Sequence, residues 1–433
     1  MSSTIPPQHN YERMVVFSNR NHNISPNDII NFTIAPSGDN NYFLLNKSHM
    51  TLKLKITGLG TNNSGDTVTF YVPVKKCMSG IINNTKVTYT YFKEDGSLAT
   101  LPLNADNENV GQIRSLLNHM TQNKDIHKSG EMLKELSYDY YHDAQYGDDD
   151  DTIKDNTKKT AMYLERPYDG KLFFNYLKFT QAAGATEAFT TINVNFSDIF
   201  EGCGSERFIN LTQMDCECIL QDKTSYFYID GNRIKTAASY SDDELDTNFT
   251  NVFIDSCYVW THSYKVQDSD EFDPEDTQLA KNQIMTKAFT IPSGQNYIDD
   301  RVIVNFPIKL AYIMFTNLDG DFSNLEDIKF KKIAINIAGE QKRYIDVDNN
   351  NNPDGKDRLL FEWMDYCCND HEDEYTTFLN YKTWRDQFKV YAFPMAEFFP
   401  QRASNQVQFE IELEGANTEG LKMHFISIRS GSY

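Results

Sequence analysis

An alternation of apolar and polar residues with a period of two recurs along most of this 433-residue chain. It is clearest in residues 51–57, 192–196, 407–413 and 421–425. A strand with this pattern lays one face on a hydrophobic core and turns the other toward water or a polar interface. The 29 Phe and 25 Tyr residues also suit pleated, half-buried surfaces. The pattern predicts an all-β protein.

The predicted strands fall into two sets of eight. In each set, a long connection that contains predicted helices separates the early strands from the late strands. Eight antiparallel strands with a long crossing connection are typical of a jelly roll, in which two sheets bury one face each against the other. We therefore predict two tandem eight-stranded jelly rolls, a double jelly roll. The predicted strands lie near 28–34, 43–57, 68–74, 86–92, 171–179, 187–196, 208–220, 252–266, 285–291, 301–306, 309–316, 328–338, 342–347, 389–393, 405–414 and 421–428.

Helical periodicity is scarce and is confined to the long connections. Apolar residues spaced three to four apart predict short helices in 110–120, 132–136 and 371–388. By contrast, residues 302–304 and 310–315 are continuously apolar, which predicts strands that are covered on both faces.

The chain divides into four parts. We expect an N-terminal arm over 1–24, a first jelly roll over 25–267, an acidic linker over 268–280 and a second jelly roll over 281–433. A long polar insertion near 122–168 interrupts the first jelly roll. Loops of this length in a compact β protein are usually functional or surface-forming.

The net charge of −21 limits the possible partners. An acidic surface repels phosphate backbones and anionic membranes, so we expect no direct nucleic-acid binding. No stretch reads as a signal peptide or is apolar enough for a membrane helix, so we expect no membrane insertion. The seven scattered cysteines fit free thiols in a reducing compartment.

The sequence contains no nucleophile elbow, phosphate-binding loop or dinucleotide-binding glycine motif, so we expect no catalytic residues, no enzyme activity and no cofactor. The weak candidates for a metal site are four oxygen ligands with partial calcium-loop spacing. The sixth position carries Asn351 in place of the usual Gly, and the final ligand is Asp instead of a bidentate Glu. We interpret this segment as a solvated turn, with calcium at subunit contacts as the alternative. The four candidate ligands are Asp346, Asp348, Asn350 and Asp357.

Three other groups have a plain structural interpretation. Cys203, Cys216 and Cys218 offer zinc-ligand types, but free cysteines are commonly buried, and we expect structural thiols. The same holds for Cys367 and Cys368 beside His371. We expect the tryptophans to be core or interface anchors instead of sugar-stacking platforms; they are Trp260, Trp363 and Trp384.

Several segments resemble the double jelly-roll major capsid proteins of tailless icosahedral DNA viruses, of the polinton-like virus, adintovirus and virophage type. Residues 42–56 resemble the early Leu-rich strand of that family, and residues 189–200 its apolar strand that ends in a Ser-x-Ile-Phe turn. Residues 207–221 resemble its next strand. Residues 390–394 and 405–428 resemble its C-terminal strands. The likeness covers about half of the chain, and the 122–168 insertion departs from it.

This resemblance implies a structural protein that forms homotrimers of pseudo-hexagonal outline. Many trimers would tile an icosahedral shell, with penton and minor capsid proteins as partners. The chain would then be located in the virion, after assembly in the cytoplasm or nucleus of the host. The alternative is a jelly-roll vertex, fibre or carbohydrate-binding attachment protein.

Overall fold

The computed structural model describes eleven stretches of the chain: 9–17, 22–35, 41–105, 108–114, 176–203, 209–234, 251–265, 282–320, 330–346, 390–395 and 405–430, apart from residues 27, 77, 94–95, 231–232, 305–307, 338 and 416. These stretches are mostly antiparallel strands, as the alternation predicts. The linker predicted at 268–280 and the insertion near 122–168 lie outside them, so the predicted domain boundaries stay predictions.

The strands of the N-terminal half build two large sheets and one separate two-stranded sheet. They are β1 (His9–Phe17), β2 (His22–Asn23), β3 (Ile29–Ile34), β4 (Asn41–Phe43), β5 (His49–Thr57), β6 (Val68–Pro73), β7 (Ile82–Phe92), β8 (Leu98–Ala105), β9 (Tyr176–Gln181), β10 (Glu187–Asn195), β11 (Ile209–Asn210), β12 (Gln213–Leu220), β13 (Ile229–Asp230), β14 (Arg233–Ile234) and β15 (Asn251–Lys265). Short helical turns accompany them at Leu45–Lys47, Ser79–Ile81, 110–114, Phe196–Ile199 and Lys223–Tyr226.

Four nested antiparallel pairs define the first sandwich: β3 with β12, β5 with β10, β6 with β9, and β7 with β8. The smaller sheet has the order β3-β12-β7-β8, and the larger sheet contains β15-β5-β10-β9-β6. Strand β15 extends the larger sheet beyond β5 and carries β1, β2 and β4.

The C-terminal half builds the second sandwich from β16 (Asn282–Ile291), β17 (Tyr297–Val304), β18 (Ile308–Thr316), β19 (Phe330–Ile337), β20 (Glu340–Asp346), β21 (Val390–Pro394), β22 (Asn405–Leu413) and β23 (Leu421–Ser430). Its sheets have the orders β16-β23-β18-β21 and β17-β22-β19-β20. The eight strands again pair as a nested ribbon, first with last. The predicted double jelly roll is therefore confirmed.

The two sandwiches differ in how the nested pairs are shared between sheets. In the second sandwich, successive pairs alternate between the two sheets. In the first sandwich, both middle pairs, β5–β10 and β6–β9, lie in one sheet, and the outer and innermost pairs lie in the other.

Each sandwich has its own hydrophobic core made from the inward residues of its strands. In β12 the alternation is complete, with Met214, Cys216, Cys218 and Leu220 buried and the residues between them partly exposed. In the second core, the rings of Phe409 and Phe425 lie 4.5 Å apart between their centroids. Burial of such side chains is the main force that holds each pair of sheets together.

The eight-strand assignment of the first jelly roll needs one correction. The sequence prediction omitted β8 and counted β15 as one of the eight. Strand β8 contains Pro102, which lacks a backbone N–H and argues against a strand in the middle of a sheet. It is tolerated here because β8 lies at a sheet edge and, among the described strands, pairs with β7 alone.

Part of the predicted N-terminal arm is a strand. Residues His9–Phe17 pair along most of β15, from Tyr264 to Cys257. Its Met14 and Val16 pack against the first core, whereas Val15 faces away and is 50% exposed.

Candidate assembly surfaces

The four candidate calcium ligands fall almost entirely outside the described residues. Asp346 is the last residue of β20, and Asp348, Asn350 and Asp357 lie beyond it in the part of the chain that is not described. Among the described residues, no group of three or more His, Cys, Asp or Glu side chains is arranged to hold a metal ion. The calcium site stays a prediction.

The four cysteine side chains among the described residues are buried. Cys203, Cys216, Cys218 and Cys257 are free cysteines inside the first sandwich. The hydroxyl of Tyr89 lies 3.2 Å from Cys203 Sγ. Burial raises the pKa of Cys203 to about 12, which outweighs the opposing effects of the Tyr89 hydrogen bond and Arg114. These positions are those expected of structural thiols. Cys367, Cys368 and His371 lie outside the described stretches.

The β18 strand of the second sandwich is covered on both faces, as its continuous apolar sequence predicts. Ala311, Ile313 and Phe315 belong to the second core. Tyr312 and Met314 point the other way and are also completely buried. This sheet therefore has a second buried face outside its own sandwich.

His424 on β23 lies on that second buried face and links it to the first sandwich. The imidazole Nε2 lies 2.9 Å from Thr316 Oγ1 on the neighbouring β18. Burial lowers the pKa of His424 to about 3, and the positive charges of Lys422 and Lys76 act in the same direction. Lys76 belongs to the first sandwich, so a charge of the first sandwich acts on a histidine of the second.

Lys76 sits in a buried polar corner of the first sandwich. Its Nζ donates a hydrogen bond to Asn109 Oδ1, which also accepts one from Gln221 Nε2. Nearby, Arg114 forms a buried ion pair with Glu201. Buried polar groups need partners of this kind. This corner is not predictable from the sequence, because its members are spread over residues 76–221.

A cationic–aromatic face covers the outside of the larger sheet of the first sandwich. Its members are Arg13 on β1, His49 and Lys53 on β5, and Tyr258 and Trp260 on β15. The Arg13 guanidinium lies 3.9 Å from the ring centroid of Tyr258 and 5.7 Å from that of Trp260. The rings of His49 and Trp260 are stacked, with centroids 6.2 Å apart.

Lys53 completes this face. Its Nζ lies 4.1 Å from the ring centroid of Phe189 and 3.3 Å from Asp255 Oδ2. The side chains are therefore held in place by one another, which lowers the entropy lost when a partner binds. Arg, Tyr and Trp are also the residues that carry most of the binding energy in protein interfaces. Trp260 thus fits the predicted role of an interface anchor. Trp363 and Trp384 lie outside the described residues.

A carboxylate face covers the outside of sheet β17-β22-β19-β20 in the second sandwich. We define it by Tyr297, Asp299, Glu410 and Glu412, which lie in neighbouring rows of β17 and β22. Asp299 Oδ1 accepts a hydrogen bond of 2.7 Å from Gln408 Nε2. Partial desolvation and the nearby carboxylates of Glu410, Asp299 and Glu412 raise the pKa of Tyr297, as expected at a site of negative potential.

On the neighbouring strand β19, two lysines form ion pairs with two of the three carboxylates. Lys331 Nζ lies 2.8 Å from Glu412 Oε1, and Lys332 Nζ lies 3.9 Å from Glu410 Oε2. Among the described residues, Asp299 has no cation within ion-pair distance.

None of the described helices is long and apolar enough to cross a membrane.

The comparison with solved structures agrees with this architecture. No protein-family model matches the chain, and no curated protein does. A cryo-EM structure of the Sputnik virophage is similar, with a TM-score of 0.53, 10% identity and coverage of 99% of this chain and 87% of that chain.

Two further solved structures are less similar. The Faustovirus major capsid protein has a TM-score of 0.47 and 9% identity, and the match covers 99% of this chain and 91% of that chain. The mavirus major capsid protein has a TM-score of 0.46 and 10% identity, with coverage of 96% and 87%. The Sputnik match supports a conclusion about the fold, and the nested strand pairs of both sandwiches agree with it. The chain therefore has the double jelly-roll fold, and its resemblance to viral double jelly-roll major capsid proteins is confirmed at the level of the fold.

Proposed function

We propose that this chain is the major capsid protein of a tailless icosahedral DNA virus. The observation that supports this most strongly is the pair of jelly rolls in one chain, aligned over 99% of its length with a structure from the Sputnik virophage. In this proposal the protein is structural and is not an enzyme. It is located in the virion, after assembly in the host cell.

The proposed building block is a homotrimer. Three chains with two sandwiches each place six similar units around one axis, which gives a pseudo-hexagonal outline suited to tiling a shell. Neighbouring trimers, together with penton and minor capsid proteins, are the proposed partners. The acidic surface limits direct contact with nucleic acid.

The proposal is favoured over a carbohydrate-binding attachment protein by the rings of Trp260 and Tyr258, which other side chains already contact on the cationic–aromatic face. A sugar-stacking platform needs an accessible ring face. The Trp260 ring is instead stacked on His49, and the Arg13 guanidinium lies over the Tyr258 ring. Such ordered pairs suit a protein interface better than a sugar site.

Electron microscopy of the purified chain tests the proposal. We expect particles of pseudo-hexagonal outline with threefold symmetry, and shells or sheets of them at high concentration. Monomeric particles together with binding to a glycan array would contradict it and support the attachment protein.

A further inference from the structure

The cationic–aromatic face and the carboxylate face each contain one charge without a counter-charge within ion-pair distance among the described residues, Arg13 on the first and Asp299 on the second. Arg13 is exposed, lies on aromatic rings and has no carboxylate within ion-pair distance among the described residues. Asp299 is also exposed, and its described partner is the neutral amide of Gln408. A second copy could supply the missing counter-charge to each.

Both faces are open in the single chain. Beside Arg13, Val15 is 50% exposed, and on the carboxylate face Tyr297 is 46% and Ile303 is 69% exposed. Arg13 and Asp299 therefore do not cover each other within one copy. Each face combines a charge with apolar or aromatic area, which is the composition of the centre and rim of a protein interface.

We propose that the cationic–aromatic face of one copy docks on the carboxylate face of a second copy, with Arg13 opposite the carboxylates around Asp299. This inference rests on the proposed function, because it names the contact that would join copies in the trimer. It goes further by assigning one face of each sandwich to that contact.

The two faces differ, so the contact is heterologous: every copy uses its first sandwich toward one neighbour and its second sandwich toward the other. Heterologous contacts close into rings when the rotation between copies is right. Three copies joined this way would leave neither face open. Complementary charges across such a contact act mainly on specificity and on the rate of association, and they are weakened by salt.

A charge exchange tests the pairing. We expect Arg13→Glu and Asp299→Lys each to weaken trimer formation at least tenfold, because each places like charges against each other. The double variant, which carries both changes, should return to within about threefold of the unchanged protein. Analytical ultracentrifugation over a concentration series measures all four proteins.

Lys86→Glu is the matched control. It reverses the charge of a basic residue on a different outer face, where Lys86 bonds Glu217 at 2.8 Å. We expect this variant to form trimers as the unchanged protein does. Thermal unfolding of every variant checks folding. If Arg13→Glu weakened the pairing of β1, Asp299→Lys would still test the contact from the other sandwich.

The outcomes separate this inference from the proposed function. A trimer that is unaffected by both single changes would overturn the assignment of the two faces and leave the capsid role intact. Single changes that weaken the trimer without recovery in the double variant would also overturn the direct pairing. A monomer before any change would contradict the proposed function itself.

Discussion

Buried thiols give the first prediction at the scale of single residues. Burial raises the pKa of Cys203 to about 12 and also raises that of Cys216, Cys218 and Cys257. Because the thiolate is the reactive form, these four should resist alkylation at pH 8 in the folded protein. Mass spectrometry after labelling should find them unmodified until denaturant is added. Labelling of Cys216 or Cys218 in the folded state would contradict their place in the core.

Gly111 gives a second prediction, since it touches the backbone of another segment. A Cβ at this position would lie 1.8 Å from the carbonyl oxygen of Ser79, so the helical turn 110–114 would have to move. We expect Gly111→Ala to lower the free energy of unfolding by about 1–3 kcal/mol. Gly60→Ala is the control, because nothing lies within 4 Å of its added Cβ. Equal stability of the two variants in urea unfolding would contradict the close approach.

His424 gives a prediction for acid. Its pKa is about 3 in the folded chain, below the ordinary value of 6.5. Above pH 6.5 the histidine is neutral in both states and does not change the free energy of unfolding. As the pH falls from 6.5 toward 3, the histidine is protonated in the unfolded chain but stays neutral in the folded chain, so the free energy of unfolding decreases. At pH 4.5 this lowers the free energy of unfolding by roughly 2–3 kcal/mol, since each pH unit between the two pKa values contributes about 1.36 kcal/mol.

The variant His424→Gln isolates this effect. Glutamine can still bond Thr316 but does not titrate, so it should lose less stability than the unchanged chain between pH 7 and pH 4.5. Urea unfolding at both pH values measures the difference. Identical losses in the two proteins would show that His424 is not buried as described.

At the scale of elements, strand β22 tests the second core. Phe409 is completely buried and packs on Phe425. We expect Phe409→Ala to lower the free energy of unfolding by about 3–5 kcal/mol. Phe92→Ala is the matched control, because Phe92 is 63% exposed on β7, and it should change stability by less than about 0.5 kcal/mol. Comparable losses in both would contradict the assignment of β22 to the core.

The elements also show which parts of the fold can be read from sequence. Strands such as β12 and β22 have one buried and one open face, so their alternation was sufficient to predict them. Strand β8 was missed. Its Pro102 is uncommon inside sheets, and nothing local in the sequence shows that β8 lies at a sheet edge, where proline is tolerated. The continuous apolar run in β18 was correctly predicted to be covered on both faces. The same prediction for residues 302–304 of β17 was wrong, because Ile303 is 69% exposed.

The assembly surfaces were less predictable, because their side chains come from strands that are distant in sequence. Trp260 was expected to be an anchor, but its partners Arg13 and His49 come from strands that only the fold brings together. His424 and Lys76 are 348 positions apart in the chain, and nothing local to either signals their proximity. Alternation predicts which residues face a core, whereas long-range pairing decides which outward residues meet.

At the scale of the whole molecule, two sandwiches in one chain make a unit with separate cores and different outer faces. The first carries the cationic–aromatic face and the second the carboxylate face, so copies can join in a fixed order. This directional arrangement is what a closed trimer requires.

The mass of the native protein in solution tests the central claim most directly. One chain has a mass of 50.0 kDa, and light scattering coupled to size-exclusion chromatography should give about three times that value, or the mass of larger assemblies built from trimers. A single-chain mass that persists up to high protein concentration would contradict the account.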